Sequence, residues 1–237
     1  MNPRVASNPR VVSLVPSITE TLLGWGVAPV AVTRFCEVEG IATVGGTKNP
    51  DVEAIASLRP DLVLMDEEEN RAEDAEQLRA RGVPVHATRV RSVADALEAM
   101  AGLAALVGAD EPAGGPTDIR RAPMQLSAWV PIWRRPWMTV NGDTYGSDLL
   151  AASGFENVFA ADADRYPTVG LDDVAARGPD VVLAPSEPYR FSERHRAELE
   201  QVAPVEFVDG RDLFWWGVRT VGALGRLRAL AVRLTGR

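Results

Sequence analysis

Few side chains in this 237-residue chain combine reactivity with a usable spacing. The histidines are His86 and His195 and the one cysteine is Cys36. A bare zinc or manganese site needs several His and carboxylate ligands converging on one point, which this set does not supply. His86 in an apparent strand and His195 on a charged helix read as ordinary structural residues. Cys36 is a competent soft ligand for cobalt or iron and equally a buried spectator thiol. Asp143 and Asp148 near Tyr145 could be drawn as an acid pair, but they suit a turn and a helix start. Gly45-Gly46-Thr47-Lys48 lacks the spacing of a phosphate-binding loop, and neither a Ser-His-Asp order nor a GxGxxG after a strand is present. The chain reads as a binding protein, with an enzyme on the same scaffold supported only as a fold-level possibility.

Aromatic residues carry the better signal. They make up only 6% of the chain, yet Trp129, Trp133 and Trp137 crowd around Pro131 and Pro136, and Phe214-Trp215-Trp216 forms a second group. A large planar ligand needs flat apolar walls with a few polar anchors, which Trp and Tyr supply at small entropic cost. Trp129, on a strand, is expected to fill a core. Trp133 and Trp137 flank a proline turn after a strand end and are expected to face ligand, with Arg134 and Tyr189 meeting its polar groups.

The elements that would position these residues alternate strand with helix. Val11–Val15 reads as a buried strand, followed by a short helix through Leu23 capped by Ser17 or Thr19. Then come a strand Val30–Thr33, a Gly45–Pro50 loop, a helix Asp51–Leu58, a strand Leu62–Met65, a helix Arg71–Arg81 and a strand Val83–Thr88. The stretch VEAIASLRPDLVL, 52–64, is echoed by LDDVAARGPDVVL, 171–183, and each echo is followed by an acidic loop, a charged helix (71–81; 192–201) and a strand with Pro-Val. An internal duplication is expected: two α/β, Rossmann-like lobes with parallel sheets, and ligand at the carboxyl ends of their strands. The lobes are placed at 11–101 and 124–237, the second ending in a helix over 218–234. Between them, 92–123 holds a helix from Ser92, with Val93, Leu97, Met100, Ala104 and Val107 on one face, that gives way to Gly108–Pro116.

Bulk properties set limits. A 46% hydrophobic content can fill two cores, and the net charge of −8 with pI near 4.9 argues against a nucleic-acid surface. A single cysteine excludes an internal disulfide. Residues 1–10 have no apolar export-signal core and no run reaches membrane-spanning length, so a soluble, cytoplasmic chain is expected.

Several stretches resemble the substrate-binding proteins of ABC importers for vitamin B12, haem and iron siderophores: VVSLVPSITE (11–20), GGTKNPDVE (45–53), RPDLVLMDEEEN (59–70), GDTYGSDLL (142–150) and GFENVF (154–159). The resemblance implies two α/β lobes joined by a backbone helix, here shortened by the Gly/Pro segment, with ligand clamped between the lobes. It places the aromatic after the second strand at Phe35, a Gly-Gly loop contact at Thr47, an opposing aromatic at Tyr166 and a last one at Phe214 or Trp215. It also implies that one glutamate per lobe docks on a permease; the repeat pairs Glu73 with Glu193, with Glu69 as an alternate. The acidic run Asp66–Glu76, opposed only by Arg71, otherwise reads as a solvated surface. The expected ligand is a corrinoid such as cobalamin, with haem or a ferric siderophore as the alternative. The expected role is the binding component of an ABC importer, or a cytoplasmic carrier or sensor of the same ligands.

Overall fold

A computed structural model describes residues 9–110 and 119–236. They divide into two compact units, one holding residues 9–90 and 95–110, the other 91–94 and 119–236.

The first unit contains β1 (Val11–Ser13), α1 (Pro16–Gly24), β2 (Ala31–Val32), β3 (Ala42–Thr43), β4 (Gly45–Gly46), β5 (Asn49–Pro50), α2 (Val52–Ser57), β6 (Leu62–Asp66), α3 (Ala72–Ala80), β7 (Val85–Thr88) and most of α4 (Val93–Val107). Its main sheet runs β3-β2-β1-β6-β7 and is wholly parallel, with Val12 opposite Val63 and Leu64 opposite His86. A central parallel strand is covered on both faces, so its sequence is apolar without alternation. β1 and β6 read that way, and Val12, Leu14, Val63, Met65, Ile55 and Leu78 form the core.

Helix ends follow local chemistry. Asp51 caps α2 by accepting from the Ala54 N–H at 2.9 Å. The expected cap of α1 is corrected: Val15 holds the N-cap position and Pro16 the first turn, where its missing N–H is harmless. Thr19 lies inside the helix, its Oγ1 donating to the Val15 carbonyl at 3.0 Å. α4 ends at Val107 because Gly108 turns left-handed (φ 67°) and Ala109 N–H reaches back to the Ala104 carbonyl at 3.0 Å. Of the Gly/Pro segment expected to break this helix, residues 108–110 are non-helical and 111–116 lie outside the described residues.

The second unit contains β8 (Leu126–Trp129), β9 (Trp137–Met138), α5 (Tyr145–Ser153), β10 (Phe155–Asn157), β11 (Thr168–Val169), α6 (Leu171–Arg177), β12 (Val181–Pro185), α7 (Arg196–Leu199), β13 (Val205–Val208), α8 (Gly210–Phe214) and α9 (Thr220–Thr235). Its parallel sheet runs β10-β8-β12-β13. First, second, third and fourth core strands therefore sit in the same order as β1, β2, β6 and β7, and the two echoed stretches fall on α2–β6 and α6–β12. The fold is α/β with two parallel sheets of like topology.

One expectation is corrected here. The charged segment 192–201 is a 3₁₀ turn, Glu193–His195, followed by the single helical turn α7. On α9 the buried stripe is Ala223, Leu224, Leu227 and Ala231, while Val221 is exposed.

Candidate functional site

In the first unit the sheet's carboxyl end gathers four segments: the chain after β1, the 34–36 turn after β2, the β4–β5 hairpin, and the loop after β6. Gly45 (φ 88°) and Gly46 make this possible. A Cβ on Gly45 would lie 2.6 Å from the Asn49 carbonyl oxygen and 2.9 Å from Asp51 N, so the hairpin needs glycine there, while at Gly46 the side chains of Asn49, Arg34 and Phe35 close in to 2.7, 3.1 and 3.1 Å of where a Cβ would sit. Phe35 is left 49% exposed beside this seat, with the Arg34 Cζ 4.9 Å from its ring centroid.

Asn70 ties the segments together. Its Nδ2 donates to the Thr47 carbonyl at 2.9 Å and the Leu14 carbonyl at 3.3 Å, and its Oδ1 accepts from Asp66 N–H at 2.9 Å. Thr47 is buried and contributes this carbonyl to the hairpin's anchorage. Cys36 is also buried, its Sγ 3.2 Å from Thr19 Oγ1 and 3.3 Å from Thr33 Oγ1.

The acidic run is solvated as expected at Glu67, Glu69, Glu73 and Glu76, but Asp66 and Asp74 are buried. Asp66 is 3% exposed and accepts from Thr88 Oγ1 at 2.6 Å and Glu68 N–H at 2.9 Å. Burial pushes its carboxyl up to about 6, against the partial relief of those hydrogen bonds. Asp74 is buried against Arg71 (3.0 Å), Glu67 pairs with Arg89 (3.6 Å), and Lys48 Nζ donates to the Glu68 carbonyl at 2.6 Å. Glu73 and Glu69 stay exposed.

In the second unit the loops after β8 and β12 bring Trp133, Arg134, Trp137 and Tyr189 into one cluster. Trp133 is 45% exposed and meets Tyr189 edge-on at 5.6 Å. Trp137, expected at the ligand surface, instead packs largely inward: it stacks on Phe191 (5.9 Å, 9°) and meets the fully buried Trp129 edge-on at 5.7 Å. Arg134 is ion-paired with Glu198 at 2.8 Å and lies 5.9 Å from the Trp137 centroid. Tyr189 Oη is 3.4 Å from His195 Nε2. His195 is buried, its Nδ1 accepts from Ser192 N–H at 3.1 Å, and burial with the charges of Arg194 and Arg134 holds it below its ordinary value, hence neutral.

Tyr166, 41% exposed, stands on the loop between β10 and β11, and Trp215 follows α8 with the guanidinium groups of Arg211 and Arg219 at 5.0 and 5.9 Å. Glu193 is exposed and paired with Arg196 at 2.6 Å. Asp143 accepts from Arg165 and Arg91, both at 2.8 Å, and Asp148 accepts from Val93 N–H at 2.8 Å, so both carboxylates hold structure. Among the described residues no group of three or more His, Cys, Asp or Glu could hold a metal ion.

The signal for Phe35 was the family resemblance and that for Trp133 a proline turn just past a strand end. Arg34, Asn70 and Asp66 were missed, the last two because an asparagine and an acid within an acidic run look solvated until the loop is folded. What the two surfaces offer is exposed rings with guanidinium groups nearby, and no assembled nucleophile and base.

Comparison with known proteins gives the following. Residues 11–113 match the periplasmic binding protein family model. A vitamin B12-binding protein of Vibrio parahaemolyticus is 28% identical over 196 residues, covering 73% of this chain and 70% of that one. The crystal structure of the periplasmic vitamin B12 binding protein of Vibrio cholerae superposes with a TM-score of 0.76 at 17% identity, covering 97% of this chain and 98% of that one. A periplasmic haem binding protein from Pseudomonas aeruginosa gives 0.75 at 18%, over 96% and 93%. These relatives are binding proteins, not enzymes.

Proposed function

We propose, on the premise that this chain is a member of the vitamin B12, haem and iron-chelate family of substrate-binding proteins that it resembles, that it captures a large planar metal chelate, a corrinoid or a haem, as the binding component of an ABC importer. The observation that carries this reading is the pair of exposed aromatic surfaces, Phe35 on the first unit and Trp133 with Tyr166 on the second, each at a loop that follows a strand. Large exposed rings are unfavourable in water and favourable under a flat apolar ligand, where each stack adds about 0.5–1.5 kcal/mol beyond its buried area. Tyr189 supports Trp133 edge-on at 5.6 Å, and Thr47 and Trp215 are the further ligand positions offered; Glu73 and Glu193, both exposed, are the docking positions offered to a permease. No described helix is long and apolar enough to cross a membrane.

The test is absorbance titration with cobalamin, cobinamide and haemin on the wild type, Phe35→Ala and Trp133→Ala. Saturable binding weakened by each substitution is expected. Binding that neither substitution alters would place the ligand elsewhere.

A further inference from the structure

Arg34 is the feature of the first unit that the reading above does not use. Arginines over aromatic rings recur in this protein: Arg134 at Trp137, Arg177 at Phe159, Arg196 at Phe207, and Arg211 and Arg219 at Trp215. Arg134, Arg177, Arg196 and Arg219 are ion-paired with Glu198, Asp162, Glu193 and Asp212 respectively, and Arg211 is engaged by a further interaction as well. Arg34 differs. It is exposed, lies 4.9 Å from the Phe35 centroid, and has no hydrogen bond from its side chain and no ion pair among the described residues. Its Nη2 and the Phe35 ring edge both rest over Gly46, where a Cβ would sit 3.1 Å from each, so the hairpin holds cation and ring together as one surface. The nearby cation Lys48 is engaged by the Glu68 carbonyl at 2.6 Å and by the charge of Glu69. Arg34 is thus a fork of donors beside an exposed ring.

We infer that Arg34 selects for a carboxylate on the rim of the planar ligand, so that the ligand is an anionic tetrapyrrole or other carboxylate-bearing chelate rather than one whose rim carries only amides. The inference rests on the proposed binding of a planar chelate and adds its charge. A guanidinium pairs with a carboxylate through two parallel N–H···O bonds, whereas a rim amide offers one neutral acceptor. A ring stacked at Phe35 brings its peripheral groups within reach of Arg34, and the pairing is formed partly out of water, against a ring face.

The experiment compares haemin, which carries two carboxylates, with its dimethyl ester, which keeps the macrocycle and iron and removes both charges, and with cobalamin, in wild type, Arg34→Gln and Arg34→Lys. Circular dichroism and thermal unfolding establish that each variant is folded. A charge-assisted hydrogen bond corresponds to about 10-fold or more in Kd. The inference expects haemin to bind wild type at least about 10-fold tighter than the ester, Arg34→Gln to lose that difference while leaving the ester's Kd unchanged, and Arg34→Lys to keep part of it. It is overturned if Arg34→Gln leaves haemin binding untouched, weakens ester and haemin alike, or if cobalamin binds more tightly than haemin; planar-chelate binding itself stands in all three cases. If none of the three ligands binds wild type, the proposed function falls, and this inference with it.

Discussion

Replacing Asp66 with asparagine should stabilise the protein at neutral pH. The carboxyl is 3% exposed and burial raises it from an ordinary 3.8 to about 6. The unfolded chain releases this proton near 3.8 and the folded chain holds it to about 6, so between those values the folded state binds more protons. The contribution of this group to stability is therefore present below the lower value and is lost as pH rises through the upper one. At about 1.36 kcal/mol per pH unit the loss is about 3 kcal/mol. The amide avoids it and keeps the partners: its Oδ1 can accept from Glu68 N–H, its Nδ2 can donate to Thr88 Oγ1, and the Thr88 hydroxyl can turn to the Met65 carbonyl 3.2 Å away. Exchanging charged for neutral hydrogen bonds returns about 1 kcal/mol, so the net gain at pH 7.5 is about 2 kcal/mol. Near pH 4 the gain should shrink below about 1 kcal/mol, because the folded wild type is then protonated. Urea unfolding of both proteins at the two pH values reads this directly, and their difference cancels every other titrating group. An Asp66→Asn protein destabilised equally at both pH values would refute the burial argument.

Further outcomes follow from the same geometry. Asn70→Ala strands the Thr47 and Leu14 carbonyls and the Asp66 N–H; it should cost about 3 kcal/mol and raise amide exchange in the 45–50 hairpin more than in β1 or β6, as mass-spectrometric hydrogen exchange would record. Trp129→Ala, at a fully buried ring, should cost about 3–5 kcal/mol in denaturant unfolding. Trp133→Ala should cost less than about 1 kcal/mol and act on ligand affinity instead.

How far the sequence could be read depended on how local each cause was. β6 and β12 were legible because a fully buried parallel strand must be an uninterrupted apolar run, and the repeated Pro-Asp before each gave the shared topology. The strands β3, β4, β5, β9 and β11 were not, since each is two residues long and its pairing is decided by what it packs against. The helix expected over 192–201 rests on the repeat, as the counterpart of 71–81, but only Arg196–Leu199 takes up α-helix. At the site, the family resemblance pointed to Phe35 and the proline turn after a strand end pointed to Trp133, and both rings are exposed. Trp137 could not be placed, because its partner Phe191 arrives from the loop after β12. Nor could Asp66, whose burial is set by Thr88 on the neighbouring strand.

Binding of a planar metal chelate is read most directly from the absorbance spectrum of the purified protein titrated with haemin and with cobalamin, tryptophan quenching being followed alongside. A saturable spectral shift with at least one of them is expected at micromolar concentration or below, diminished in Phe35→Ala and Trp133→Ala. No saturable shift with either ligand up to high micromolar concentration would contradict it.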